Sequence, residues 1–127
     1  MKLNDLSSKV IGAAIEVHKF LGAGLLEKTY EECLCVELKK IGLKYEKQVM
    51  LPINYKGTLI ENAYRIDILV EDKIIIELKA IEKIEKIHKA QLLTYLKLSK
   101  KELGLLINFN VEVLVSGISR VINSKNK

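Results

Sequence analysis

The chain has 127 residues, enough for one compact domain and too few for two domains with separate cores, so we predict a single domain over residues 1–127. Hydrophobic residues make up 49% of the sequence and charged residues 29%, which excludes an intrinsically disordered chain. Lysine and arginine outnumber aspartate and glutamate by 21 to 16, a formal charge of +5 that suits a polyanionic partner without requiring one. Because acidic and basic residues are interspersed, charge alone identifies no function.

Several classes of protein are excluded by what the sequence lacks. No apolar run reaches the ~18 residues of a membrane span, and the first residues lack the apolar segment of a secretory signal. We therefore expect a cytoplasmic protein that does not bind membranes. Cys33 and Cys35 lie two apart in a helical pattern, where side chains diverge by ~200°, so no disulfide can join them. With His18 and His88 as the only histidines, a structural zinc site is not expected.

The N-terminal third of the sequence has the periodicity of two amphipathic helices. Apolar residues recur every three or four positions in Leu3–Leu21 and again in Leu25–Ile41. Gly22-Ala23-Gly24 interrupts the pattern, and Gly42 is a typical helix stop. The domain is thus predicted to open with two helices.

After Gly42 the pattern changes to short β-rich runs, with one helical period among them. Three strands are predicted as an antiparallel meander, over residues 44–55, 64–70 and 74–80. Pro52 favours an edge strand or a bulge for the first of them. The helical period returns over Ile84–Leu98.

The C-terminal part begins with Leu103–Phe109, a continuous apolar run typical of a strand buried on both faces. A shorter strand is predicted over Glu112–Val115, and Gly117–Ile122 fits either a further strand or a terminal turn. Helices on both sides of the strands, with a helix crossing before the buried strand, predict an α/β fold around a mixed central sheet.

Acidic residues interrupt the aliphatic pattern of the second and third strands. Strand alternation predicts one aliphatic face, formed by Ile66, Ile68, Val70, Ile74, Ile76 and Leu78, and an opposite face that carries Asp67, Glu77 and Lys79. If the aliphatic faces match, the loop has three residues, Glu71-Asp72-Lys73, and Asp67 pairs with Glu77. Two carboxylates would then be cross-strand neighbours, with β-carbons about 5 Å apart.

Two adjacent carboxylates repel each other unless a cation lies between them. Lys79 can offset part of that charge, and a hard divalent cation such as Mg²⁺ would offset it better. The alternative is an exposed sheet face that carries an ordinary ion-pair cluster. On the third helix, His88, Gln91 and Tyr95 are spaced i, i+3, i+7, so they form one polar stripe that could face the acidic residues.

The order of these motifs resembles a known superfamily. Asp67, then Glu77-Leu78-Lys79, then Gln91-Leu92-Leu93-Thr94-Tyr95 resembles the PD-(D/E)XK nucleases, with the Q-x-x-x-Y helix of their RecB-like members. Upstream, Gly24, Glu27 and Tyr30 match the name-giving motif of the small GxxExxY proteins, a prokaryotic group of that superfamily. The resemblance extends from the first helix to Asn110. Ile66 stands where the superfamily label has proline, a position that varies widely.

The resemblance implies a restriction-endonuclease-like α-β-β-β-α-β core with an extra N-terminal helix. It also implies a Mg²⁺ (or Mn²⁺) ion held by Glu27, Asp67 and Glu77. Lys79 resembles the lysine that positions or activates the attacking water and stabilises negative charge. Gln91 and Tyr95 resemble the helix residues that orient lysine, water or phosphate.

The expected function is metal-dependent hydrolysis of phosphodiester bonds in DNA. The alternative is a nuclease-fold binding or accessory module with little turnover, and an RNA-specific nuclease also stays open. Helix geometry does not separate Glu27 from Glu31 as the metal ligand, although the motif favours Glu27. His18 fits either a phosphate contact or the position of a capping or core-edge histidine. The expected partner is nucleic acid, DNA before RNA, and assembly into a homo-oligomer stays open.

Overall fold

The computed structural model describes residues 1–124 of the chain. Its elements in order are α1 (Leu3–Leu21), α2 (Glu27–Lys40), β1 (Tyr45–Tyr55), β2 (Thr58–Val70), β3 (Ile74–Lys79), α3 (Lys86–Ser99), β4 (Leu103–Asn108), a short 3₁₀ helix (Leu114–Gly117) and β5 (Ile118–Ile122). Within this described part, no helix has the length and apolar character needed to cross a membrane.

The five strands form one mixed sheet in the order β1-β2-β3-β4-β5. The predicted meander is confirmed, because β1, β2 and β3 pair antiparallel. β4 pairs parallel with β3, and α3 is the crossover that parallel neighbours require. The α/β prediction is confirmed: three helices and a mixed sheet give the arrangement expected of a restriction-endonuclease-like fold with an N-terminal helix.

Helices cover both faces of the sheet, so β3 is buried on both sides. Ile74 and Ile76 pack in the core beneath α1 and α2, whereas Ile75 packs in a second cluster beneath α3. The prediction of one polar face on β3 is therefore wrong for most of the strand, because Leu92 and Leu96 of α3 cover that face. The polar character is confined to the end of the strand, at Glu77 and Lys79.

β2 changes faces in the middle. Ile68 packs in the core beneath α1 and α2, but Ile66 packs in the cluster beneath α3, so the prediction that they share a face is wrong. The pairing with β1 passes from Lys47–Ile68 to Val49–Ile66, and Gln48 between them has a left-handed backbone with φ of 54°. A local distortion at Gln48 thus breaks the simple alternation that the sequence suggests.

The β1–β2 hairpin is longer than predicted, because β2 begins at Thr58. β1 is an edge strand, and its pairing shifts between Leu51 and Ile53, which confirms both roles predicted for Pro52. We call residues 50–65 the hairpin arm. It extends past β3, which pairs with β2 over Ile68–Val70.

The chain after β4 differs from one prediction and settles the alternative that the sequence left open for Gly117–Ile122. The strand predicted over Glu112–Val115 is wrong, because Leu114–Gly117 forms a 3₁₀ helix. The chain is turning here against β4: Gly117 lies so close to the carbonyl oxygen of Asn108 that a side chain would not fit. The segment that follows is a strand, β5, which pairs antiparallel with β4.

Candidate active site

The turn before α2 positions the first acidic side chain. Gly24 has φ of 93°, a conformation that glycine adopts without strain. The Tyr30 hydroxyl donates to the carbonyl of Gly22 at 2.7 Å and accepts from the N–H of Leu25 at 3.1 Å. Tyr30 is fully buried, and its ring stacks on Phe109 at 4.3 Å between centroids. These contacts fix the turn from which α2 begins at Glu27.

The two predicted carboxylates meet where the β2–β3 ladder ends. The ladder has the predicted register, with Val70 opposite Ile74. Beyond the ladder, side-chain carboxylates replace backbone carbonyls as hydrogen-bond acceptors. The N–H of Asp67 donates to Glu77 Oε2 at 2.8 Å, and the N–H of Leu78 donates to Asp67 Oδ2 at 2.8 Å. The structure therefore brings Asp67 and Glu77 together as cross-strand neighbours, each bound to the other strand.

Burial and mutual repulsion make this pair electrostatically costly. Glu77 is 6% exposed, and its burial, followed by the charge of Asp67, raises its pKa to about 8. Burial also raises the pKa of Asp67, and Glu27 raises it further, although the N–H of Leu78 offsets part of the shift. The alternative of an exposed ion-pair face is excluded for Glu77, because its carboxyl group is buried.

Lys79 ends β3, two residues after Glu77, and is half-buried. Its charge lowers the pKa of both carboxyl groups, which places it close enough to act on them. Among the ion pairs within 4.0 Å in residues 1–124, none involves Lys79. The ammonium group is thus available to a ligand that enters the site.

The first turns of α2 bring two further acidic side chains close to Asp67 and Glu77. Glu27 is exposed, and Glu31, one turn later, is 8% exposed. Both line a cleft of about 310 Å³ together with Arg65 and Asp67. Burial raises the pKa of Glu31, and the charge of Asp67 raises it further. The structure brings both glutamates to the site, so the choice between them as ligand stays open on proximity alone.

The three predicted α3 residues differ in burial and contacts. Tyr95 is buried, and burial, followed by the charges of Glu77 and Asp67, raises its pKa to about 12. Gln91, one turn earlier, is exposed. His88 accepts the N–H of Glu85 through Nδ1 at 2.8 Å, so it caps the start of α3.

His18 occupies a structural position. Its Nε2 lies 2.8 Å from the carbonyl oxygen of Val111, and its ring packs near Phe109. The side chain is 8% exposed. These contacts make His18 a core-edge histidine and not a phosphate contact, because Nε2 is already bonded to a backbone carbonyl and the side chain is buried.

Gln48 is the residue at this site that the sequence did not predict. It lines the same cleft, and its Nε2 donates to Glu31 Oε1 at 2.6 Å. The hairpin end pairs Tyr55 with Thr58, and that register would place Gln48 opposite Arg65. The shift in pairing at Pro52 instead places it opposite Asp67. Periodicity carries no signal for such a bulge.

A comparison with known protein families agrees with this geometry. The model for a family described as PD-(D/E)XK nuclease superfamily matches residues 4–121, which is nearly the whole chain. The chain belongs to the PD-(D/E)XK nuclease superfamily. Neither the curated proteins nor the solved structures give a significant match. Membership in this superfamily indicates nuclease activity on a nucleic acid, and PD-(D/E)XK nucleases generally use divalent metal ions.

The donor chemistry of the site fits such an ion. Asp67, Glu77 and the α2 glutamates offer only oxygen ligands, which hard divalent cations prefer. Burial, followed by the negative charge of neighbouring carboxylates, raises the pKa of Glu31, Asp67 and Glu77. In the part of the chain that the structure describes, no three acidic, histidine or cysteine side chains already converge as a metal cluster. Each carboxylate of the Asp67–Glu77 pair has one oxygen bound to a backbone N–H and a second oxygen left for a ligand.

Proposed function

We propose that this PD-(D/E)XK protein is a metal-dependent nuclease that hydrolyses phosphodiester bonds in DNA. The observation that carries the proposal is the reciprocal bonding of Asp67 and Glu77 at the end of the β2–β3 ladder, with Lys79 beside them. A buried carboxylate, Glu77, and a partly buried one, Asp67, next to a lysine suit a cation and a phosphate better than they suit an empty protein interior. The net charge of +5 is consistent with a polyanionic substrate.

In this proposal Glu27, Asp67 and Glu77 hold Mg²⁺ or Mn²⁺. When bound, the ion supplies positive charge to the phosphate and lowers the pKa of a water molecule. Lys79 orients the attacking water and stabilises the negative charge that develops on the phosphate. Its half-buried position strengthens that interaction, because water screens it less than it would screen a fully exposed lysine.

The α3 residues have supporting roles. Tyr95 keeps its proton at neutral pH, since its pKa is raised to about 12, so its hydroxyl can donate a hydrogen bond to a phosphate or a water molecule. Gln91 is exposed one helical turn away, where it can contact the nucleic-acid backbone.

The proposal also includes a narrower family placement and the extent of the domain. We assign the chain to the GxxExxY group on Gly24, Glu27 and Tyr30, which lie in the turn before α2 and in the first turn of that helix. We also treat residues 1–127 as one nuclease-like domain. This is supported by a single sheet whose two faces are covered by helices of the same chain.

A second candidate function is a nucleic-acid-binding module with little turnover. It is favoured by the bonds that Asp67 and Glu77 already make to backbone N–H groups, which give both carboxylates a structural role in joining β2 to β3. A residue that only closes the sheet needs no metal. The two candidates therefore differ in whether the site binds a divalent cation.

The test is cleavage of labelled single-stranded DNA, duplex DNA and RNA by the purified chain with Mg²⁺, Mn²⁺, Ca²⁺ or EDTA. We expect cleavage of DNA with Mg²⁺ or Mn²⁺, poor support by Ca²⁺ because of its different size and coordination, and none in EDTA. Asp67→Asn, which keeps the acceptor for the N–H of Leu78, serves as the inactive control. Cleavage that persists undiminished in EDTA contradicts the proposal, and DNA binding without cleavage in any metal favours the binding module.

A further inference from the structure

Gln48 combines three features that no ordinary strand residue needs. Its backbone is left-handed, with φ of 54° in the middle of β1. Its Nε2 donates to Glu31 Oε1 at 2.6 Å, a short bond to a buried carboxylate. Its Oε1 is buried and has no hydrogen-bond partner among the described residues.

The first and third of these features point to the cleft. A left-handed glutamine costs free energy and persists where the surroundings determine it, most often at functional sites. A buried carbonyl oxygen without a donor also costs free energy, and this one belongs to a residue that lines the same cleft as Glu31 and Asp67. The negative end of an amide dipole is poorly placed among carboxylates. A cation, or a water molecule bound to one, would satisfy it.

The bond to Glu31 determines what the amide group can do. One oxygen of Glu31 is held by Gln48, so the other oxygen and the direction of the carboxylate are fixed relative to β1. Gln48 lies opposite Asp67 in the β1–β2 pairing. Its side chain therefore links α2 to the part of the sheet that carries Asp67. The distortion of β1 thus aligns an α2 carboxylate with a β2 carboxylate.

We propose that Gln48 is a positioning residue of the cation site, which acts by holding Glu31 toward Asp67 and by presenting Oε1 to the cation or its water. This rests on the proposed function, and it makes Glu31 part of the metal site alongside the residues assigned there. A purely structural role for Gln48 would leave two of these features unexplained, the unpaired Oε1 and the left-handed backbone. A glutamine kept for packing would have both ends of its amide paired, and glycine would suit the left-handed backbone better.

The experiment measures Mn²⁺ binding to the full chain by isothermal titration calorimetry. The variants are Gln48→Met, which has a similar shape without the amide, and Gln48→Gly, which relieves the left-handed backbone while it removes the side chain. Asn62→Gly is the matched control, because Asn62 also has a left-handed backbone, with φ of 56°, but lies in the hairpin arm. Glu31→Gln and the double variant with Gln48→Met complete a double-mutant cycle.

We expect Gln48→Met and Gln48→Gly to bind Mn²⁺ about 10- to 100-fold more weakly, the usual cost of losing a group that orients a metal ligand. Asn62→Gly should bind as the parent does. In the Glu31→Gln background, Gln48→Met should weaken Mn²⁺ binding less than it does in the parent, because the part of its effect that acts through Glu31 is already lost. Thermal unfolding monitors folding, and Gln48→Gly should melt no lower than the parent by more than a few degrees, since glycine relieves strain.

Parent-like Mn²⁺ affinity in a folded Gln48→Met or Gln48→Gly variant would overturn the positioning role while the proposed metal site stands. Strictly additive losses in the cycle would overturn its action through Glu31. If the parent itself binds no Mn²⁺, the proposed metal-dependent function fails, and the role of Gln48 fails with it.

Discussion

The two halves of β2 belong to one strand and have opposite environments. Residues 66–70 lie between β1 and β3, and most of their side chains are buried in the two cores. Residues 58–65 lie in the hairpin arm, where they pair with β1 and are mostly exposed, including Leu59 and Ile60. Asp67 is at the junction, where β2 ceases to pair with β3.

The comparison of the two halves shows where in a sheet charged side chains can be held in place. Inside the ladder each backbone N–H is committed to a neighbouring strand, whereas in the arm water is available. At the junction the N–H groups of Asp67 and Leu78 have neither a partner strand nor water as an acceptor. They donate instead to the carboxylates of Glu77 and Asp67. The end of the ladder thus provides donors that hold the buried Glu77 and the partly buried Asp67 in place, which neither half could do alone.

The largest expected effect is on catalysis at the junction. Lys79→Ala should lower the cleavage rate by roughly 10²- to 10³-fold, because it removes charge that stabilises the transition state. Asp67→Asn should lower the rate and also weaken Mn²⁺ binding, since it replaces an anionic ligand. Glu61→Gln, in the arm of the same strand, is the control and should retain the parent rate. Single-turnover cleavage assays check this, and equal rates for all three variants would remove the junction from the mechanism.

A matched pair of substitutions compares the halves directly. Ile68→Ala, at a fully buried position, should lower the free energy of unfolding by about 2–5 kcal/mol through lost burial and a cavity. Ile60→Ala, at a position that is 45% exposed, should change it by less than about 1 kcal/mol. Urea denaturation followed by circular dichroism measures both. Similar losses would mean that the arm packs against something in solution.

The cost of burying Glu77 should appear as pH-dependent stability. Its pKa rises from an ordinary 4.5 to about 8 on folding, so its protonated form stabilises the fold below pH 4.5, and that contribution is lost as the pH rises through 8. Glu77→Gln removes the loss. In EDTA, we expect the variant to exceed the parent in unfolding free energy by on the order of 2 kcal/mol at pH 9 and to differ little at pH 4. A parent whose stability does not fall over this range contradicts the raised pKa.

The smallest effects should come from lysines near α3. Lys83, Lys86 and Lys89 are exposed, and each substitution by alanine should weaken DNA binding a few-fold and reduce the slope of log affinity against log salt by about 1. Lys101→Ala is the comparison, because Lys101 pairs with Asp72 at 3.0 Å and should matter less. Fluorescence anisotropy between 50 and 200 mM salt measures this. A flat salt dependence of the parent would identify these lysines as an ordinary solvated helix face.

The sequence was informative where local pattern determines structure. Three helices, the meander and the doubly buried β4 follow from periodicity, and the three-residue loop after Val70 follows from matching aliphatic faces. That loop places Asp67 next to Glu77 without any knowledge of the tertiary fold. Glu71 and Asp72 adopt left-handed backbones there, although the loop contains no glycine.

The remaining features depend on long-range packing. Whether the second face of β3 is polar depends on α3, which covers it, and nothing in β3 itself encodes that cover. The role of Gln48 depends on a bulge at Pro52 that shifts the pairing of distant residues. The approach of α2 that brings Glu31 to Asp67 is likewise a tertiary arrangement.

The turn before α2 also bears on how its three-residue spacing should be interpreted in other chains. Gly24 supplies a backbone conformation and Tyr30 ties the turn to Phe109, so two of the three positions shape the chain and only Glu27 offers chemistry. A sequence that kept the glycine and the tyrosine but lost the acid would build the same turn. Finding this spacing in a protein therefore indicates the shape of a loop. The acidic residues and the lysine around that loop are what indicate an enzyme.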